Sequence, residues 1–176
     1  MITLVTGGAR SGKSGYAESR LSRYERVVYI ATAQAADDGE MIRRIEAHKK
    51  RRPASWRTVE RDHRLAEAIE GADAALLDCV TVMLSNYLWK YSAAEDAVDE
   101  EKIEEACMKE LGALIAAARR TSCDLWIVTN EVGSGIVPMH PVSRAFRDIQ
   151  GRVNQQLAQA ADEVYACISG IPVKIK

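Results

Sequence analysis

Gly7, Gly8, Ala9, Arg10, Ser11, Gly12, Lys13 and Ser14 fit the pattern G-x-x-x-x-G-K-[ST], directly after the apolar run 2–5. A strand that delivers such a loop into a helix presents backbone N–H groups and the helix N-terminus to one anion. Gly7 and Gly12 let the backbone curl where a Cβ would collide, and Lys13 supplies a point charge for the β and γ phosphates. Ser14 is positioned to hold Mg²⁺. The competing reading, a glycine turn before a helix, does not explain the full Gly-Lys-Ser ending, and the motif points to a nucleoside triphosphate.

A second constellation is His48 followed by Lys49, Lys50, Arg51, Arg52 and Pro53, the densest basic cluster of the chain. On a helix, His48 and Arg51 or Arg52 lie three and four residues apart, so a phosphate near the imidazole meets guanidinium donors. Cationic neighbours keep the imidazole neutral and nucleophilic. Two readings stand on the residues alone: a solvated helix end that complements the dipole and carries an ordinary surface histidine, which is the commoner case, or a covalent nucleophile for a phosphoryl or nucleotidyl group. His63 and His140 have no such surround.

A triphosphate site also needs acids. Asp78 ends the apolar run 74–77 and, in a parallel sheet, sits at its carboxyl edge as the Mg²⁺-side carboxylate; its alternative is a cap for a helix starting near Thr81. Glu131, in the polar cluster Thr129-Asn130-Glu131 after another strand, reads as a general base or a second Mg²⁺ contact. Gly133 and Gly135 allow loop closure there, or simply a tight turn.

These groups require elements to hold them. Short apolar runs at 2–5, 27–31, 74–77, 125–129 and 164–168 read as strands, with 173–175 a further edge strand. Helical patterns cover 14–22, 39–51, 63–70, 80–91, 97–120 and 143–160. Continuous apolarity implies strands buried on both faces. The expected fold is a three-layer α/β nucleotide-binding domain with a mainly parallel sheet, occupying 1–176 as one unit. Asp37 and Asp38 read as helix caps, and the acidic run 95–105 as a solvated helical face with i,i+4 pairs.

Composition narrows the classes. With 24 Lys plus Arg against 25 Asp plus Glu there is no global field to recruit nucleic acid or a membrane surface. No apolar run approaches the roughly 20 residues of a membrane span, and no signal peptide is visible, so cytoplasmic residence is the expectation. Cys79, Cys107, Cys123 and Cys167 form no C-x-x-C pair and read as buried reduced thiols. Short of further signal, the residues leave open a simple small-molecule kinase and a non-catalytic module switched by nucleotide. They do not choose between ATP and GTP.

The order of motifs is more specific than any one of them. The phosphate loop, Tyr29-Ile30-Ala31-Thr32, Glu40-Met41, Arg44-Ile45-Glu46-Ala47-His48, Arg52-Pro53, Trp56 and Thr58-Val59-Glu60 resemble the bifunctional adenosylcobinamide kinase/adenosylcobinamide-phosphate guanylyltransferase family. The likeness continues through Thr129-Asn130-Glu131-Val132-Gly133, Gly135-Ile136-Val137-Pro138, Phe146-Arg147-Asp148, Gly151-Arg152-Val153-Asn154-Gln155 and Ser169-Gly170. It implies a RecA-like P-loop fold and two reactions of cobalamin nucleotide-loop assembly. The first is phosphorylation of the aminopropanol hydroxyl of adenosylcobinamide. The second is transfer of GMP from GTP to adenosylcobinamide-phosphate through a guanylyl-histidine, with release of pyrophosphate.

By position the resemblance makes His48 the nucleophile, although some relatives carry adjacent histidines where this chain has Ala47 and His48. It puts Thr32, Ala33 and Gln34 beside the phosphate loop, and has Lys49, Lys50, Arg51, Arg52 and Glu60 complete the guanylylated state. It also implies a homotrimer.

Overall fold

The computed structural model describes residues 1–33, 52–92 and 98–176. The expected helix over 39–51, with Asp37, Asp38, Gln34, His48, Lys49, Lys50 and Arg51, lies outside the described residues.

Among the described residues seven strands form one sheet: β1 (Ile2–Thr6), β2 (Val27–Ala31), β3 (Arg57–Glu60), β4 (Ala74–Asp78), β5 (Asp124–Val128), β6 (Glu163–Ile168) and β7 (Ile171–Lys174), in the order β3-β2-β4-β5-β1-β6-β7. All neighbours pair in parallel except β6 and β7, which form an antiparallel hairpin. Among the described residues the helices are α1 (Lys13–Leu21), α2 (Leu65–Ala68), α3 (Val80–Tyr91), α4 (Glu100–Thr121) and α5 (Pro141–Ala160).

Alternate residues of the central strands feed two cores, as the period of 2 demands. Leu4, Val28, Ile30, Ala75, Leu77 and Ile127 face α2 to α5, where Leu65, Met83, Leu111 and Ile149 meet them. Val5, Val27, Tyr29, Leu76, Trp126 and Val128 face α1 through Ala17 and Leu21. This double burial is why the strands read as continuous apolar runs, and it gives the expected three layers.

Local chemistry sets the helix ends. Asp99 caps α4 by accepting the Lys102 N–H at 3.1 Å; Glu100 and Glu101 occupy the first turn and Arg119 and Arg120 the last, each complementing the dipole. Pro141 opens α5, where its missing N–H costs nothing.

Three expectations change. β3 was not expected, because Arg57-Thr58-Val59-Glu60 is an edge strand with only Val59 half-buried and no apolar run to betray it. The pattern over 63–70 condenses to the single turn α2. Glu100 and Glu104 do not form a solvated face of i,i+4 pairs: Arg152 on α5 reaches both, at 2.9 and 2.6 Å, and fastens α4 to α5.

Candidate active site

The phosphate loop leaves β1 and enters α1 as expected. α1 has no side-chain cap and no acid in its first turn, so its leading N–H groups are left for an anion. Gly7 (φ 150°) and Gly12 (φ 93°) hold conformations that side chains resist. Space is closed as well: a Cβ on Gly7 would stand 2.5 Å from the Cys167 carbonyl oxygen, and one on Gly12 3.1 Å from Gly170 Cα.

The turn between β6 and β7 therefore forms the outer wall of the loop, and the Gly170 N–H fastens it by donating to the Ser11 carbonyl at 3.0 Å. Ser11 Oγ is buried in this cradle without a hydrogen-bond partner among the described residues. Lys13 is buried and its Nζ donates to the Gly8 carbonyl at 2.7 Å. Burial pushes its ammonium below the ordinary lysine value, against the opposing pull of Cys79 and Asp78.

Asp78 stands at the carboxyl edge, but β5 separates its strand from β1. It is not the cap of α3: the cap position is Cys79, which makes no side-chain cap bond. Its carboxylate instead accepts the hydroxyl of Tyr29. Thr32, fully buried, donates its hydroxyl to the Cys79 carbonyl at 2.7 Å and accepts the Cys79 N–H at 3.0 Å. Ala33 follows, half-buried, and Glu60 pairs in register with Ala31 at the same edge. Arg52 lies over the Tyr29 ring, its guanidinium carbon 3.4 Å from the centroid. Its Nε and Nη1 are buried without hydrogen-bond partners among the described residues.

Glu131 occupies the exposed loop after β5. Its N–H donates to the Gly7 carbonyl at 3.0 Å, and its carboxylate accepts the Gly133 N–H at 2.6 Å, which builds the turn the glycines suggested.

Four residues that the sequence did not single out as site residues support these positions. Tyr29 bridges Asp78 and Arg52. Asn86 on α3 donates to the Thr32 carbonyl at 3.0 Å and to the buried Asp62 carboxylate at 2.9 Å. Burial pushes Asp62 up, yet hydrogen bonds from His63 and Asn86 outweigh it and hold the carboxyl below the usual range. From α5, Asn154 accepts the Thr129 hydroxyl at 2.7 Å and donates to the Asn130 carbonyl at 3.0 Å; Gln150, fully buried, donates to both Thr129 and Asn154. Gln150 and Asn154 sit at i,i+4 spacing; Asn154 falls within the family motif 151–155, whereas Gln150 carries no sequence signal beyond an ordinary amphipathic helix.

The cysteines are free, and three are buried with Cys79 half-buried. Burial raises every one, Cys79 and Cys123 to about 11 and Cys107 to about 12, so they are neutral thiols, as expected.

The family model described as cobinamide kinase / cobinamide phosphate guanyltransferase matches residues 3–175. The chain belongs to this family. It is 50% identical over 182 residues to the bifunctional adenosylcobalamin biosynthesis protein CobU of Escherichia coli, covering all of both chains. It is 48% identical over 191 residues to CobU of Salmonella typhimurium, again covering both completely. With the bifunctional protein CobP of Pseudomonas aeruginosa it shares 38% over 181 residues, covering 100% of this chain and 98% of that one.

Among solved structures, a prototypical ATPase from the type III secretion system of pathogenic bacteria is similar with a TM-score of 0.57 at 12% identity. The match covers 94% of this chain and 51% of that chain, so this chain spans about half its length, and the likeness is one of P-loop fold. Among the described residues no helix is long and apolar enough to cross a membrane.

Proposed function

We propose that the chain carries out both reactions named for its family on adenosylcobinamide, as one unit over 1–176. In the first, the aminopropanol oxygen attacks the γ phosphorus of ATP or GTP, the bond to the β-phosphate oxygen breaks, and the hydroxyl proton passes to Glu131. In the second, an imidazole nitrogen of His48 attacks the α phosphorus of GTP and pyrophosphate leaves. A phosphate oxygen of adenosylcobinamide-phosphate then attacks the same phosphorus and expels the imidazole, giving adenosylcobinamide-GDP.

One observation carries this reading: the phosphate loop, Asp78, Thr32 just before the segment that holds His48 and Arg52 just after it lie along one sheet edge. Thr32 is fastened to Cys79 beside Asp78, and Arg52 reaches Asp78 through Tyr29. A segment rooted on the same sheet edge as the loop can present a nucleophile to the triphosphate that the loop grips.

The residues fit a hard cation. The Ser14 hydroxyl and the Asp78 carboxylate are oxygen donors of the kind Mg²⁺ takes, and Lys13, next to Ser14, feels the charge of Asp78. Mg²⁺ held by Ser14 and Asp78 would neutralise charge on the triphosphate. The protein's own part is the grip of the Gly7-to-Ser14 backbone, the ammonium of Lys13, and the basic side chains Lys49, Lys50, Arg51 and Arg52 with Glu60 around the guanylylated histidine. The reading includes cytoplasmic residence and a homotrimer. Ile136 (97% exposed), Val137 and Met139 form an apolar surface that an oligomer would cover, and a monomeric mass by light scattering would contradict that part.

The test is product analysis with adenosylcobinamide and GTP labelled at the α or γ position. Both adenosylcobinamide-phosphate and adenosylcobinamide-GDP are expected, and Lys13→Ala should slow both by about 10²- to 10³-fold. Guanylyl transfer left intact by Lys13→Ala would show that the loop serves phosphorylation alone. Bound nucleotide with no modified cobinamide would replace the enzyme by a nucleotide-switched module.

A further inference from the structure

Tyr29 sits on the α1 face of β2 and is 1% exposed. A phenol buried this deeply needs an acceptor for its O–H. Its register partner on β4 is Leu76, and Asp78 lies two residues further along the same face. A tyrosine spans such a diagonal, and its hydroxyl donates to the Asp78 carboxylate. The face of the same ring carries the Arg52 guanidinium, 3.4 Å from the centroid. One side chain thus holds, by two different atoms, the acid of the metal side and the cation that closes the segment bearing His48.

We propose that Tyr29 is a positioning residue for both reactions: its hydroxyl orients Asp78 toward the metal-bearing triphosphate, and its ring seats Arg52 at the root of the nucleophile's segment. The inference rests on the function proposed above and deepens it. A carboxylate near a metal is effective only when its orientation is fixed, and groups that fix such ligands typically change metal affinity by about 10- to 100-fold. A guanidinium over a ring is held by the electron-rich face and by contact with it, neither of which needs the hydroxyl. The two roles are therefore separable by substitution.

Tyr29→Phe deletes the hydroxyl and keeps the ring; Tyr29→Leu deletes both. Two readouts are taken on the full chain: the half-saturating Mg²⁺ for binding of a non-hydrolysable GTP analogue, and the rate at which α-labelled GTP labels the protein at saturating Mg²⁺. Tyr29→Phe should raise the Mg²⁺ midpoint about tenfold and slow labelling less than Tyr29→Leu does. Tyr29→Leu should show the same midpoint shift and also slow labelling by about tenfold.

An unchanged Mg²⁺ midpoint in Tyr29→Phe overturns the inference. So does a parallel loss of both readouts in both variants that tracks a lowered thermal midpoint, since that is the signature of a structural residue only. If wild-type protein binds the analogue with Mg²⁺ but takes up no label, the covalent reading of function fails, and the Mg²⁺ midpoint of Tyr29→Phe still decides the role of the hydroxyl.

Discussion

At the carboxyl end of β1 the site is made of backbone, whereas at the carboxyl ends of β2 and β4 it is made of side chains. The phosphate loop owes its shape to Gly7 and Gly12, whose missing Cβ atoms make room for Cys167 and Gly170. The other half of the same edge depends on Tyr29, Thr32, Asn86 and Asp78, linked by hydrogen bonds across three elements. At Gly7 and Gly12 this backbone cradle has almost no room for an added atom. A side-chain edge tolerates conservative replacement and loses function in graded steps. The difference teaches that, under the proposed function, the grip on the triphosphate and the seating of Asp78 and Arg52 rest on structures of different robustness.

Gly7→Ala is the sharpest way to break that comparison. Its new methyl cannot fit beside the Cys167 carbonyl and the φ is unfavourable, so a stability loss of about 2–5 kcal/mol is expected in denaturant unfolding, with triphosphate binding abolished. Normal binding in this variant would show that the loop is not rigidly walled by the β6–β7 turn.

Next comes Glu131→Gln, which retains the turn by still accepting the Gly133 N–H. We predict a fall of about 10²-fold in the kcat of phosphorylation, with guanylylation of the protein unchanged. Equal loss in both reactions would show that the Glu131 carboxylate serves a step common to both and is not the base for the substrate hydroxyl. The smallest effect belongs to Asn154→Leu. It leaves the buried Thr129 hydroxyl and the Asn130 carbonyl with fewer partners, at a cost of about 1–3 kcal/mol in thermal or chemical unfolding.

The same contrast explains what the sequence disclosed. A backbone device must repeat its glycines at fixed spacing, so Gly7 to Ser14 and their wall at Ser169-Gly170 were visible as motifs. The doubly buried strands β1, β2, β4 and β5 were visible because both faces must be apolar. β3 was not, since an edge strand with exposed Arg57, Thr58 and Glu60 is defined by pairing with β2 rather than by composition.

Strand order was equally hidden. Nothing local to Asp78 says that β5 intervenes between its strand and the phosphate loop. Tyr29 and Asn154 were visible only as members of motifs, Tyr29 also within an apolar strand run; their contacts arise only where distant segments meet. His48 was legible through its basic run and its family motif, not through any geometry among the described residues.

Intact-mass spectrometry of the protein after incubation with GTP and Mg²⁺ tests the central claim most directly. The account predicts one added GMP per chain, stable in alkali, lost in acid and absent from His48→Ala. An unmodified wild-type mass under conditions where adenosylcobinamide is phosphorylated, or the same adduct persisting in His48→Ala, would contradict it.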